Sequence, residues 1–188
     1  MHKEEHAEIK PGDDSLLIER AISRDPAAFG RIYDMYVDRV YRHVYYHVGN
    51  VADAEDLTQQ VFLKAWGAIG RYKKMASPFL AWLMTISHNL VVDFYRTSKD
   101  NSYLDAEVMV ADSASNPVII AEARFEQQRL RRAILQLRGD EQQVVILRFI
   151  EGFRFQEIAS LLNKSEGAIR VILHRALVKL RQILEKER

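Results

Sequence analysis

The stretch FQEIASLLNKSEGAIRVILHR, residues 155–175, decides how the C-terminal third of the chain folds. Ile158, Leu161 and Leu162 recur at helical spacing, Asn163-Lys164-Ser165 interrupts them, and Ile169, Ile172 and Leu173 resume the pattern. A short helix, a turn of three or four residues and a second, crossing helix make a helix-turn-helix. Ala159 is small where the second helix must cross closely, and Ser165 is placed to cap that helix. If Ala176, Leu177 and Leu180 continue the inner face, the outward positions are Glu166, Gly167, Arg170, Val171, His174, Arg175 and, further on, Lys179. A recognition helix sets its N-terminal half against base edges of the major groove, and Arg170 is placed to read a guanine. Arg175, Lys179 and Arg181 could hold phosphates. An ordinary αα-hairpin with solvated basic residues fits the same pattern.

Charge separates this segment from the rest. Residues 123–188 hold 14 Lys and Arg against eight acids, residues 100–122 hold five acids and no base, and residues 1–99 hold 13 of each. A basic module behind an acidic connector is the asymmetry expected of a nucleic-acid-binding unit joined to something else.

Upstream, everything reads as helix, without strand alternation or hairpin signals. Asp14 or Ser15 could cap a short helix, Leu16–Ser23. Asp25-Pro26 is a cap followed by proline at the first helical position, and opens a long helix that Gly49-Asn50 breaks. A third helix, about Asp53–Ile69, ends at Gly70; after the basic loop RYKKMAS, residues 71–77, Ser77-Pro78 opens a fourth that runs to about Ser98. Residues 99–116, KDNSYLDAEVMVADSASN, are polar and aperiodic and read as a flexible linker. Helices are expected again at about 118–137, 140–151, 154–162 and 166–185. The expectation is an all-α protein of two small helical domains: an N-terminal bundle and a C-terminal helix-turn-helix domain, joined by the linker. Its parts are a polar tail over 1–14, the first domain over 15–98, the acidic linker over 99–121 and the second domain over 122–188.

Two segments of the first domain carry further signals. In DAEDLTQQVFLKAW, residues 53–66, Asp53, Asp56 and Gln60 fall on one polar face, which is either solvated or docks a protein partner. In SPFLAWLMTISHNLVVDFYR, residues 77–96, Phe79, Trp82, Phe94 and Tyr95 accompany Asn89, Asp93 and Arg96, behind a loop carrying Arg71, Tyr72, Lys73 and Lys74. Basic residues, flat rings and a side-chain amide suit single-stranded nucleic acid. Phe79 and Trp82, at helical spacing among Leu80, Leu83 and Ile86, suit a core better than a stacking platform.

With these two blocks in this order, followed by LRFIEGFRFQEIASLLNKSEGAIRVILHRALVKLR, the chain resembles the bacterial extracytoplasmic-function sigma factors, over roughly residues 15–98 (their region 2) and 122–185 (their region 4). The resemblance implies a sigma factor that binds core RNA polymerase and starts transcription at a restricted set of promoters. It implies that Asp53, Asp56, Gln59 and Gln60 dock on the clamp helices of the polymerase's largest subunit. Arg71, Tyr72, Lys73, Lys74, Ser77, Phe79, Trp82, Asn89 and Arg96 would open and hold the −10 element. Ser165, Glu166, Gly167, Arg170, Val171, His174, Arg175 and Lys179 would read the −35 element, and region 4 would touch the flap of the second-largest subunit. An anti-sigma factor is the expected regulator. The chain departs from the family pattern at Gln60, commonly an acid; at Arg138, where a proline often follows the leucine; and at Arg170-Val171, usually Lys-Ser.

Other functions find little support. No HExxH, Walker loop or Gly-x-Ser-x-Gly is present, so no enzyme is expected. With no cysteine, thiol nucleophiles and zinc-cysteine sites are excluded, and no cofactor or metal is expected. His88 and His174 read as isolated on their helices, facing solvent or partners. The polar start carries no secretory signal and no apolar run approaches a membrane span, so a cytoplasmic protein without membrane insertion is expected. A helix-turn-helix regulator acting without polymerase would explain residues 123–188 but not the block at 71–96.

Overall fold

The computed structural model describes residues 14–73, 78–97 and 117–186, with side chains from residue 125 onward in the last segment. Every regular element among them is helical. The expected loop residues Lys74 and Ser77, the tail and most of the linker lie outside the described residues.

The first unit comprises α1 (Ser15–Ile22), α2 (Pro26–Val48), α3 (Val51–Ala68), a 3-10 turn (Ile69–Arg71) and α4 (Phe79–Thr97). Asp25 caps α2 by accepting from the amides of Ala27 and Ala28, at 2.9 and 3.2 Å, with Pro26 in the first turn. Asp14 sits before α1, but its carboxylate does not cap that helix; it accepts from the Tyr36 hydroxyl on α2 instead. Asn50 caps α3 by accepting from the Asp53 amide at 2.8 Å. Ile18, Ile32, Val40, Leu57, Val61 and Leu83 close the core between these helices.

The second unit comprises α5 (Pro117–Leu135), α6 (Asp140–Val145), α7 (Phe155–Leu162) and α8 (Glu166–Lys186). The helix expected over 140–151 is not uniform: after Val145 it widens into a π turn, Ile146–Ile150, and Gly152 at φ 74° ends it. Val144, Ile146, Leu147, Ile158 and Ile169 are the largest of the second unit's fully buried apolar side chains along α6 to α8.

The two units pack against each other along the C-terminal half of α2. Gly49 ends that helix at φ 86°, and its carbonyl accepts from Arg131 of α5 at 2.7 Å. A Cβ on Gly49 would lie 2.8 Å from Cδ1 of Leu135, so glycine meets both the backbone conformation and the close approach. The Arg131 guanidinium lies over the Tyr45 ring, 4.6 Å from its centroid. At the end of the π turn, the fully buried Glu151 side chain receives Arg39 and Arg42, at 3.2 and 3.4 Å, and Arg39 also donates to the Glu151 carbonyl at 2.8 Å.

Histidines complete this seam. His43 and His47 are buried with ring centroids 4.8 Å apart, and His47 Nδ1 lies 3.2 Å from Oε1 of Gln142. Gln143 faces His47 and His88 from the other unit. His88 is therefore half-buried beside two other histidines, not isolated, whereas His174 is exposed as expected. Burial holds His43 well below the usual imidazole range and His47 down at about 4, so both rings are neutral.

Candidate nucleic-acid interface

The helix-turn-helix is built from local signals. The Arg154 amide donates to the Glu157 carboxylate at 2.6 Å, fixing the start of α7. Asn163 ends α7 in the left-handed region, at φ 52°, and the Lys164 amide reaches back to the Ala159 carbonyl at 2.9 Å. Ser165 then caps α8, its hydroxyl accepting from the Ala168 amide at 3.1 Å. Ile169, Leu173, Ala176 and Leu180 form the buried strip of α8.

Glu166, Gly167, Arg170, Val171, His174, Arg175 and Lys179 all lie exposed along the other side. They differ in what holds them. Arg170 pairs with Glu166 one turn earlier and lies over the Phe155 ring. Lys179 is met by both carboxylate oxygens of Glu141 on α6, at 2.7 Å, so its charge is already countered. Arg175 has no ion pair among the described residues. Leu177 does not continue the inner face: one residue past Ala176, it turns off the buried strip and is 42% exposed, lining a groove of about 670 Å³ with Leu130 of α5.

In the first unit, the expected docking residues separate. Asp53 turns to Asn50 at the cap of α3, while Asp56 is exposed and accepts from Gln60 Nε2 at 2.6 Å. Gln59 borders an apolar groove of about 460 Å³ between α2 and α3, walled by Phe29, Tyr33, Phe62 and Trp66. Leu63 stands at its edge, 71% exposed. Sequence reasoning missed Tyr33 and Leu63; the available signal was Leu63 lying between the buried positions Val61 and Ala65, off their strip.

The aromatic block folds inward. Tyr72 and Phe79 are buried, with rings perpendicular at 5.2 Å, and half-buried Trp82 packs on both, at 5.2 and 5.3 Å. As packed, Tyr72 and Phe79 are buried in one aromatic cluster and present no open face for a base. Arg71 and Lys73 on the loop side, and Asn89 and Arg96 along α4, are exposed. Arg96 pairs with Asp93 at 3.2 Å, an exposed contact of little energetic weight.

Residues 32–100 match the model of sigma-70 region 2, and residues 127–180 match that of sigma-70 region 4. The chain is 38% identical over 181 residues to the ECF RNA polymerase sigma factor BldN of Streptomyces coelicolor, covering 89% of this chain and 64% of BldN. It is 30% identical to the ECF RNA polymerase sigma factor SigW of Bacillus subtilis, covering 90% of this chain and 97% of SigW. This chain belongs to the ECF sigma factor family.

The fold agrees. The structure of CnrH in complex with the cytosolic domain of CnrY superposes on this sigma factor with a TM-score of 0.70 at 25% identity, covering 93% of this chain and 99% of that one. RpoE of Bartonella quintana, solved with the anti-sigma factor NepR, shares the fold at a TM-score of 0.67 and 22% identity. The region 2 match falls on α2–α4 and the region 4 match on α5–α8, so the groove beside Gln59 and the Asn89 strip belong to region 2, and the exposed strip of α8 to region 4. No described helix of this sigma factor is long and apolar enough to cross a membrane.

Proposed function

We propose that this sigma factor binds core RNA polymerase, recognises −35 and −10 promoter elements through its two units, and initiates transcription of a restricted set of genes under the control of an anti-sigma factor. The observation that carries this is the division of exposed chemistry. One unit offers an apolar groove bordered by Gln59, on the helix that also carries Asp56 and Gln60, and the other offers a helix whose outward side is exposed for a major groove.

The groove between α2 and α3 is the docking site for the clamp helices, with Leu63 and Tyr33 adding apolar contact to Asp56, Gln59 and Gln60. Arg71, Lys73, Asn89 and Arg96 face the −10 element, and Tyr72, Phe79 and Trp82 support them from below. Arg170 reads a base of the −35 element and Arg175 holds a phosphate. Region 4 also touches the flap of the second-largest subunit.

The packed arrangement is not the promoter-bound one. The −35 and −10 elements lie about 25 base pairs apart, about 85 Å along B-form DNA. Each unit has a radius of gyration of about 12 Å, so two touching units span about 60 Å. The seam at Glu151 and His47 must open before α4 and α8 reach both elements. An anti-sigma factor regulates by holding the units together; RpoE of Bartonella quintana was solved with such a partner, and CnrH with the cytosolic domain of CnrY. Co-purification tests the polymerase contact: the intact chain is expected to elute with core polymerase at moderate salt. Elution as a free chain would overturn the proposal.

A further inference from the structure

Phe155 opens α7 and is half-buried, and two guanidiniums lie against its ring. Arg148, from the π turn, lies 4.9 Å from the ring centroid and is itself anchored by donating to the Phe153 carbonyl at 2.9 Å. Arg170, from the second turn of α8, lies 4.2 Å from the same centroid. Glu166 takes one edge of the Arg170 guanidinium. The side chain remains 58% exposed, so it is oriented without being covered.

An arginine reads guanine by presenting two N–H groups, in one plane, to O6 and N7. That demands a fixed plane on a side chain with several free torsions. An aromatic face fixes the plane of a stacked guanidinium, and a carboxylate fixes only an edge. Glu166 cannot hold the edge that a base takes; the ring contact is the one that survives reading.

We infer that Phe155 is a positioning residue for −35 recognition: it sets the plane in which Arg170 meets its base pair, so promoter preference depends on a side chain of the first helix of the motif. The inference rests on the reading of Arg170 as a base contact, and the test separates the two.

The probe is a set of promoter duplexes randomised through the −35 element, bound by holoenzyme assembled from core polymerase and the full chain. Arg170→Ala is expected to flatten the preference at one position. Phe155→Leu is expected to weaken that same preference by about 2- to 5-fold, the weight of one exposed cation–π contact. Phe155→Tyr, which keeps the ring face, should retain it, and Phe155→Leu should add nothing in the Arg170→Ala background. Phe155→Met carries the same test if circular dichroism shows that leucine unfolds the motif. If Arg170→Ala flattens a position and Phe155→Leu leaves it intact, or lowers binding evenly at all positions, the positioning role is wrong. If Arg170→Ala changes no preference, the reading of Arg170 fails and the role of Phe155 fails with it.

Discussion

Replacing Glu151 with alanine removes the one carboxylate that joins the two units through both Arg39 and Arg42. Removing one partner of a fully buried ion pair costs about 3–5 kcal/mol, because the other charge is stranded. Here the arginines are 38% and 49% exposed and can turn to water, and Arg39 keeps its bond to the residue 151 carbonyl. The loss is therefore smaller, about 2 kcal/mol, which shifts the balance between packed and open units about 30-fold toward open. The chain has no cysteine, so Arg31→Cys with Gln182→Cys places one dye on exposed sites of each unit without background labelling. Energy transfer should fall in Glu151→Ala and fall less in Glu151→Gln, whose amide still accepts. The released protein should also start transcription at lower concentration with core polymerase. Unchanged transfer in both Glu151→Ala and Arg39→Ala, with helicity intact, would refute the seam as the contact that holds the units together.

Acid should open the same seam. His43 and His47 are neutral when packed and have pKa values below the ordinary 6.5, so the opened or unfolded chain takes protons more readily. Stability is therefore complete above about pH 6.5 and falls as pH drops, by about 3 kcal/mol for His47 alone by about pH 4; urea titrations across that range should show it, and His47→Phe should reduce the slope, leaving the part due to His43. Gly49→Ala should lower stability by about 2 kcal/mol, from a strained positive φ and the overlap with Leu135, read as a lower thermal midpoint. Leu63→Ser should leave stability within about 0.5 kcal/mol, because the side chain is exposed, yet weaken core polymerase binding about tenfold as an interface anchor does. Equal binding by Leu63→Ser in a competition assay would remove the groove from the docking surface.

The parts of the fold that were legible in the sequence are those held by neighbours along the chain. Asp25-Pro26, Asn163 and Ser165 mark helix ends within four residues of their partners, and the recurrence of Ile169, Leu173, Ala176 and Leu180 defines the buried strip of α8. Reading failed one residue off such a strip: Leu177 and Leu63 are apolar but point outward. The aromatic block was hard to read because rings such as Tyr72 and Phe79 suit both stacking and packing, and their contact with each other is set by tertiary packing rather than by local spacing. The seam was invisible. His47 meets Gln142 from 95 residues away and Arg39 meets Glu151 from 112, and no local pattern encodes either contact. The π turn also left no periodic trace, since it adds only one slack turn to an otherwise helical segment.

The central claim is that both units serve one polymerase-directed act. In vitro transcription with purified core polymerase, this chain and a genomic promoter library tests it most directly. Transcripts should start at a small set of sites sharing two spaced elements, should require the intact chain, and should decline with both Arg170→Ala and Leu63→Ser. Site-specific DNA binding by the chain, with no transcript above that of core polymerase alone, would contradict it.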